Sequence, residues 1–151
     1  MAQPKTAAWS KLLVQLGDGT TPTEVFSQPC ALVARGLGLS AETADSTVPD
    51  CDDPNLPSWV ERTIRSFSGE ITGSGRLALA AHSMWRTWFL SGASKNVRIK
   101  FDVPLADGGG HYVGKFVLTR FNLAGNESDG KIGVEVTMVT DGALAWVPAS
   151  A

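Results

Sequence analysis

The sequence has little of what catalysis and metal binding need. Its 151 residues include two histidines and two cysteines, Cys30 and Cys51, whose spacing fits neither a zinc site nor a disulfide framework. Cys30, His111 and an aspartate could form a nucleophilic set, but no local signature supports it. Asp50 and Asp52 with Glu61 match three positions of a calcium loop, yet Pro54 and Asn55 stand where a ligand and a glycine are required. We therefore predict no enzyme, no metal and no other cofactor.

Clustered positive charge and long apolar runs are also missing. Thirteen Lys and Arg face fifteen Asp and Glu, for a formal net charge of -2, so tight binding to a nucleic-acid backbone has no electrostatic basis. No apolar run approaches the roughly 20 residues that span a bilayer, and the first residues lack a secretory pattern. We predict a protein folded in the cytoplasm, with no membrane role.

What is present is enough apolar material for one globular core. Hydrophobic residues make up 43% of the chain, and a chain of this length folds without a disulfide or metal. We expect a single domain over residues 1–151, with a flexible N-terminal arm at 1–8 and a C-terminal tail at 147–151.

Alternation of apolar and polar residues predicts a mainly β protein. Residues 111–123 carry apolar groups on both sides, Val113, Val117 and Phe121 on one and Tyr112, Phe116 and Leu118 on the other, so that strand should be covered on both faces. In residues 60–72, Ile64 and Phe67 break strict alternation, which indicates a bulge or a strand contacted on both faces. The expected strands are 9–16, 24–35, 60–72, 97–103, 111–123 and 132–138.

Residues 75–90 are the one long helical signal. Ser74 could cap the first amides and Gly92 could end the helix in the left-handed conformation. A broad apolar stripe at helical spacing predicts a face packed on the sheet. The stripe contains Leu77, Ala81, Met84, Trp85, Trp88 and Phe89.

Residues 36–58 are the least regular stretch. They contain Pro49, Pro54 and Pro57, an acidic cluster, and few bulky apolar residues, so we expect a long loop. Loops of this length in compact domains tend to be functional or mobile.

The order of these pieces resembles the tail tube protein, or major tail protein, of long non-contractile-tailed bacteriophages and gene transfer agents. The most specific parts are SGEITGSGRL (68–77), which leads into the helix, and the late strands GKFVLTRFNLAG (114–125) and GVEVTMVTDGAL (133–144). The resemblance covers nearly the whole chain.

The resemblance implies a β-sandwich or incomplete barrel with one flanking helix. It also implies a structural virion protein, made in the host bacterial cytoplasm, that forms hexameric rings stacked into the tail tube. Implied partners are further copies of the chain, the tape measure protein in the lumen, and the tail terminator and distal tail proteins. DNA would pass through the lumen during ejection without specific binding.

The sequence is also compatible with two other functions. The chain could be the tube protein of a related secretion system, such as type VI secretion. It could also be a β-sandwich module that does not polymerise and that binds carbohydrate or decorates a capsid.

The long loop is the expected assembly device between rings, because it has little to bury in its own subunit. Its apolar residues could dock on the neighbouring ring, and its carboxylates would then need basic or amide partners. The residues concerned are Val48, Asp50, Asp52, Asp53, Leu56 and Trp59.

Overall fold

The chain folds into one antiparallel sheet of eight strands with a single α-helix. The computed structural model describes residues 2–19, 23–29, 32–125, 127–128 and 130–150. The strands run in the order β2-β1-β5-β6-β7-β4-β3, and β8 pairs with β6. The prediction of a mainly β fold with one helix is confirmed. The elements are β1 (Leu12–Gly17), β2 (Phe26–Ser27), β3 (Leu32–Val48), β4 (Trp59–Arg76), α1 (Leu79–Ser91), β5 (Lys95–Phe101), β6 (Gly110–Gly125), β7 (Ile132–Thr140) and β8 (Ala145–Pro148).

The buried side chains of the sheet lie on one face, which we call the inner face. Directly paired residues share a face, and the register pairs Val14 with Ile99 and Ile71 with Met138. All four are almost fully buried. The opposite, outer face has no helix over it within the described part of the chain and is largely polar. The buried core consists of Val14, Leu16, Leu32, Ile71, Trp85, Trp88, Val97, Ile99, Phe116, Leu118, Val134, Val136 and Met138.

The sheet curls so that its two ends approach each other. β1 and β3 are separated by five strand pairings along the sheet, yet the Arg35 guanidinium lies 5.5 Å from the centre of the Trp9 ring, just before β1. The inner face is therefore the concave side of an incomplete barrel.

Helix α1 begins at Leu79, so the predicted start at residue 75 was wrong. Gly75 and Arg76 still belong to β4, where they pair with Val134 and Gly133 of β7. Ser74 is likewise a strand residue, and Ala78 at the N-cap makes no side-chain hydrogen bond to the helix. The pairing of β4 with β7 therefore delays the start of the helix, although Ser74 has the residue type of a helix cap. The predicted end is confirmed, since Gly92 is left-handed with φ 65°.

The tryptophans of α1 fill the concave side. Trp85 and Trp88 are buried, and the Trp85 ring lies 6.4 Å from that of Phe121 in β6. Trp88 Nε1 donates to the carbonyl of Ala93 at 2.9 Å, which satisfies its polar atom. Leu77, Ala81 and Met84 are partly buried against this core.

Phe89 departs from the predicted stripe. It is 42% exposed, because it follows Trp88 by one residue and so points about 100° away around the helix. No helix in the described ranges is long and apolar enough to cross a membrane.

β6 carries apolar side chains on both faces, as predicted, but Phe121 lies on the opposite face from the predicted one. Leu118 pairs with Met138 and Phe121 with Val136, with a register shift between them. Because Met138 and Val136 share a face, Leu118 and Phe121 also share the inner face. Val113 and Val117 lie on the outer face, where they pair with Arg98 and Val139.

The expected loop at 36–58 was also wrong. Residues 36–48 continue β3 and pair with β4 as far as Val48 opposite Trp59, so only residues 49–58 connect the strands. The expected strand at 24–35 is divided between β2 and the start of β3, and Cys30 lies outside the described residues. β3 was missed because Gly, Ser, Ala and Thr dominate it, and these residues give little hydrophobic alternation.

Both chain ends contact the body of the sheet. Lys5 Nζ lies 2.8 Å from Asp107 Oδ2, so the arm predicted at 1–8 has an anchor. Val147 and Pro148, placed in the predicted tail, belong to β8 and pair with His111 and Gly110.

Replacement of Trp88 by alanine should lower the free energy of unfolding by about 3 to 5 kcal/mol, because it removes a buried aromatic ring and leaves a cavity. Thermal or denaturant unfolding measures the change. Leu90→Ala is the control: its side chain is exposed, so the change should stay within about 0.5 kcal/mol. Equal effects of the two substitutions would contradict the assignment of the core.

Candidate assembly surfaces

The outer half of the β3–β4 hairpin projects beyond the sheet. β4 pairs with β7 only from Glu70 to Arg76, whereas it pairs with β3 along its whole length. Residues 40–48 and 59–68 thus form a two-stranded ribbon, which we call the projection. At about 3.3 Å per residue, its eight steps from Ser40 to Val48 span about 27 Å. A hairpin of two strands is marginally stable in water by itself.

One face of the projection carries an apolar stripe that continues the inner face of the sheet. Phe67 pairs with Ala41, and Ile64 pairs with Thr43, with a register shift that leaves Arg65 as the extra residue. This bulge, predicted from the sequence, brings Ile64 to the same face as Phe67. Phe67 is 81% exposed and Ile64 55% exposed. The stripe is completed by Leu39 and Val60.

At the base of the projection the stripe borders a groove of about 610 Å³. Leu39 and Phe67 line one side, and Tyr112, Leu144 and Trp146 line the other. The rings of Tyr112 and Trp146 lie 4.7 Å apart. A continuous apolar surface therefore runs from the core along the projection.

The connection at residues 49–58 is held by its own aspartates. Asp50 Oδ1 accepts the backbone N–H of Asp52 at 2.8 Å and of Asp53 at 3.0 Å. These two bonds hold the pKa of Asp50 below its ordinary value of 3.8, and the bond from Asp53 has the larger effect. Asp53 Oδ1 in turn accepts the N–H of Asn55. Asp50 thus has a local structural role that the sequence analysis did not foresee.

The six residues predicted for the assembly loop all lie at the far end of the projection and are exposed. Val48 and Trp59 are the last pair of the ladder, on the outer face, and Trp59 is 90% exposed. Leu56, Asp52 and Asp53 belong to the connection. The structure brings the six together at one tip, but the stripe lies on the other face and was not among them.

The outer face of the sheet divides into two parts. On β7, the second half of β6, residues 34–38 of β3 and residues 70–76 of β4, it is built mostly from small or uncharged side chains. Register places Gly36 opposite Thr72 and Gly38 opposite Glu70, and Thr72 opposite Thr137 of β7. This part has low relief and little net charge.

On β5 and the first half of β6 the outer face is basic. Lys100 pairs with His111, and Asn96 pairs with Lys115. Arg98 lies between Lys100 and Asn96 on the same face of β5. Burial lowers the pKa of His111, and the positive charges of Arg98 and Lys100 lower it further. We call Arg98, Lys100, His111 and Lys115 the basic patch.

Catalytic geometry is not found in the described ranges. No three of their His, Cys, Asp and Glu side chains are grouped to hold a metal. Glu61, the distant carboxylate considered for a calcium loop, pairs with Ser46 within the ladder. His111 lies among cations, and Cys30, its supposed partner, is outside the described residues.

A family model described as phage tail tube protein matches residues 6–145. The chain belongs to the phage tail tube protein family. It is a structural protein of a phage or gene transfer agent tail and not an enzyme. No match was found among curated protein sequences.

Solved tail structures share this tube fold. The tail of an empty gene transfer agent particle, refined with C6 symmetry, has 25% identity and a TM-score of 0.76 over 94% of this chain and 99% of that one. The virion of a native gene transfer agent gives 22% identity and a TM-score of 0.73, with coverage of 94% and 99%. The SPP1 tail tube gives 9% identity and 0.66, with coverage of 91% and 77%.

The pKa of Asp50 gives a test of the connection. A depressed pKa in the folded state means that the two hydrogen bonds stabilise the turn above the unfolded pKa and are lost as pH falls through the folded pKa. NMR titration should place the Asp50 pKa below 3.8, and the protection of the amides of residues 52 and 53, relative to their intrinsic exchange rates, should fall as the pH drops through that pKa. Asp50→Ala should remove this pH dependence, and a pKa at or above 3.8 would contradict the turn geometry.

Proposed function

We propose that the whole chain is one tail-tube domain that forms hexameric rings, and that these rings stack into the tube through which DNA leaves the virion. The observation that carries the proposal is the projection, because it is long, apolar along one face and uncovered in its own subunit. The sixfold gene transfer agent tail with the same fold supports the ring symmetry.

The apolar stripe requires a cover that the subunit does not supply. Leu39, Ile64 and Phe67 are exposed at neighbouring positions of the inner face, and Val60 lies beyond the Asp45–Arg62 pair. Contiguous exposed apolar surface on a soluble protein marks an interaction site. In a stack, the neighbouring ring covers the stripe and thereby stabilises the marginal hairpin. Assembly and ordering of the projection are then one event.

Ring closure uses the free edge of β3. No strand in the described ranges pairs with the outer edge of this 17-residue strand, and a long open edge is a template for pairing with another chain. In the ring, this edge joins the sheet of the next subunit. Repetition around the sixfold axis makes a closed barrel and pairs the longest open edge of the sheet.

The low-relief part of the outer face lines the lumen. The inner face is not available for this, because α1 and the core fill it. The small side chains on the outer face of β3, β4 and β7 form a hydrated surface with few groups that would bind a passing polyanion. The lumen accommodates the tape measure protein before DNA passes. Terminator and distal tail proteins close the two ends of the stack.

Shortening the projection should separate folding from stacking. Residues 44–63 are replaced by Asn-Gly, which closes the Thr43–Ile64 pair with a two-residue turn. None of the removed residues belongs to the buried core, so stability should change by less than about 1 kcal/mol. Electron microscopy should show no long tubes, and tubes of normal length would contradict the proposal.

A matched pair of double variants tests the stripe with the hairpin intact. Ile64→Ser with Phe67→Ser should abolish long tubes while the subunit remains folded. Leu79→Ser with Leu90→Ser removes two exposed apolar side chains of α1 instead and should assemble normally. Equal behaviour of the two would show that the stripe is not an interface.

The proposed conduit should hold DNA weakly. With a net charge of -2, the free protein should bind duplex DNA no more tightly than roughly 10⁻⁴ M at physiological salt. Fluorescence anisotropy at several salt concentrations measures this. Micromolar binding with a steep salt dependence would contradict passage without retention.

A further inference from the structure

The projection and the basic patch have opposite charge. Residues 40–68 contain six acidic and two basic side chains, a net charge of -4, while the basic patch brings Arg98, Lys100 and Lys115 together on two neighbouring strands. Both surfaces belong to the same chain, but the projection lies at one end of the strand order and the basic patch lies on two central strands.

The acidic groups are concentrated on the outer face and tip of the projection. Arg62 Nε lies 3.4 Å from Asp45 Oδ1, so this basic group and its partner compensate each other on the inner face. Glu42 and Glu61 pair with Ser66 and Ser46 in the ladder and lie on the outer face, beside the Val48–Trp59 pair. That face thus combines carboxylates with an exposed aromatic ring.

The sheet face around the basic patch has the complementary composition. His111 pairs with Val147 and Val113 with Ala145 of β8, so an apolar strip runs beside the cations. Asp102 lies 3.8 Å from Lys100, and Glu24 accepts a hydrogen bond from Asn96, so two carboxylates border the three cations.

We propose that the outer face of the projection of one subunit docks on the basic patch of a subunit in the adjacent ring. This inference rests on the proposed stacking into a tube and identifies the two surfaces that meet. Glu42, Glu61 and Asp52 face Arg98, Lys100 and Lys115, and Trp59 packs on Val113 and Val147. The apolar stripe on the inner side of the projection remains a separate contact.

An acidic segment of a second copy fits this patch better than a nucleic acid does. Arg98 already donates to Gln15 and stacks 4.4 Å from the centre of the Phe26 ring, and Asp102 and Glu24 border the patch. A phosphate backbone would leave the valines beside the cations uncovered, whereas the projection offers the exposed Trp59 ring as apolar cover for them. Because the contact joins different surfaces of two copies, it repeats without closing, as a stack requires.

Charge reversal and restoration test the proposal. Lys100→Glu with Lys115→Glu should raise the protein concentration needed for tubes by at least about tenfold, and Asp52→Lys with Glu61→Lys should do the same, because like charges then meet across the contact. The chain with all four substitutions should recover tubes, since the attraction is restored with reversed sign. Arg86→Glu with Lys131→Glu, which makes the same charge change elsewhere, should assemble normally.

The outcomes separate this inference from the proposed function. The docking would be overturned if the Lys100→Glu, Lys115→Glu chain formed tubes at the wild-type concentration, or if the fourfold variant did not recover tubes. Neither result would contradict the stacking of rings. Normal tubes together with loss of polyanion binding would assign the patch to a nucleic acid instead. A wild-type chain that stays monomeric would overturn both.

Cross-linking tests whether the tip of the projection lies beside the basic patch of another copy. Cys51 at the tip is an exposed thiol, so in a Cys30→Ser chain a short bismaleimide should join it to Lys115→Cys of another copy only in assembled tubes. Lys131→Cys is the matched control and should not react with Cys51. Equal cross-linking at both positions, or none at residue 115, would contradict the docking geometry.

Discussion

The rest of the structure depends on one constraint: the apolar surface of a two-stranded ribbon is left exposed by its own subunit and must be buried by another. The projection satisfies its internal hydrogen bonds but has no third strand and no helix against it in the described part of the chain. Two strands alone are marginally stable, and here their apolar side chains are exposed as well. The remainder of the sheet and the tryptophans of α1 form a stable body that can hold such an element until another subunit meets it.

The core is arranged so that one sheet can serve several surfaces. The buried side chains of the long strands converge on the concave face, and α1 fills it with Trp85 and Trp88. This leaves the outer face free to differ from strand to strand, small and uncharged on β3, β4 and β7 and basic on β5 and β6. The bulges at Arg65 and near Thr119 keep the apolar side chains on the concave side where strict alternation would have turned them away.

Several features of the fold follow from the sequence alone, namely the mainly β class, the single helix, its end at Gly92 and the bulge beside Ile64. The start of the helix and the length of β3 do not, because both were decided by pairing with a distant strand. Gly75 and Arg76 look helical but are held by β7, and residues 36–48 look irregular but are held by β4. The predicted site residues share one tip, whereas the stripe could be recognised only after the register of the bulge was known.

Residue-resolved hydrogen exchange on free and assembled protein tests the central claim most directly. The account predicts fast amide exchange across residues 40–48 and 59–68 in the free subunit and strong protection in the tube, with core strands such as β5 protected in both states. Equal, fast exchange of the projection in both states would contradict it, because the hairpin would then remain uncovered after assembly.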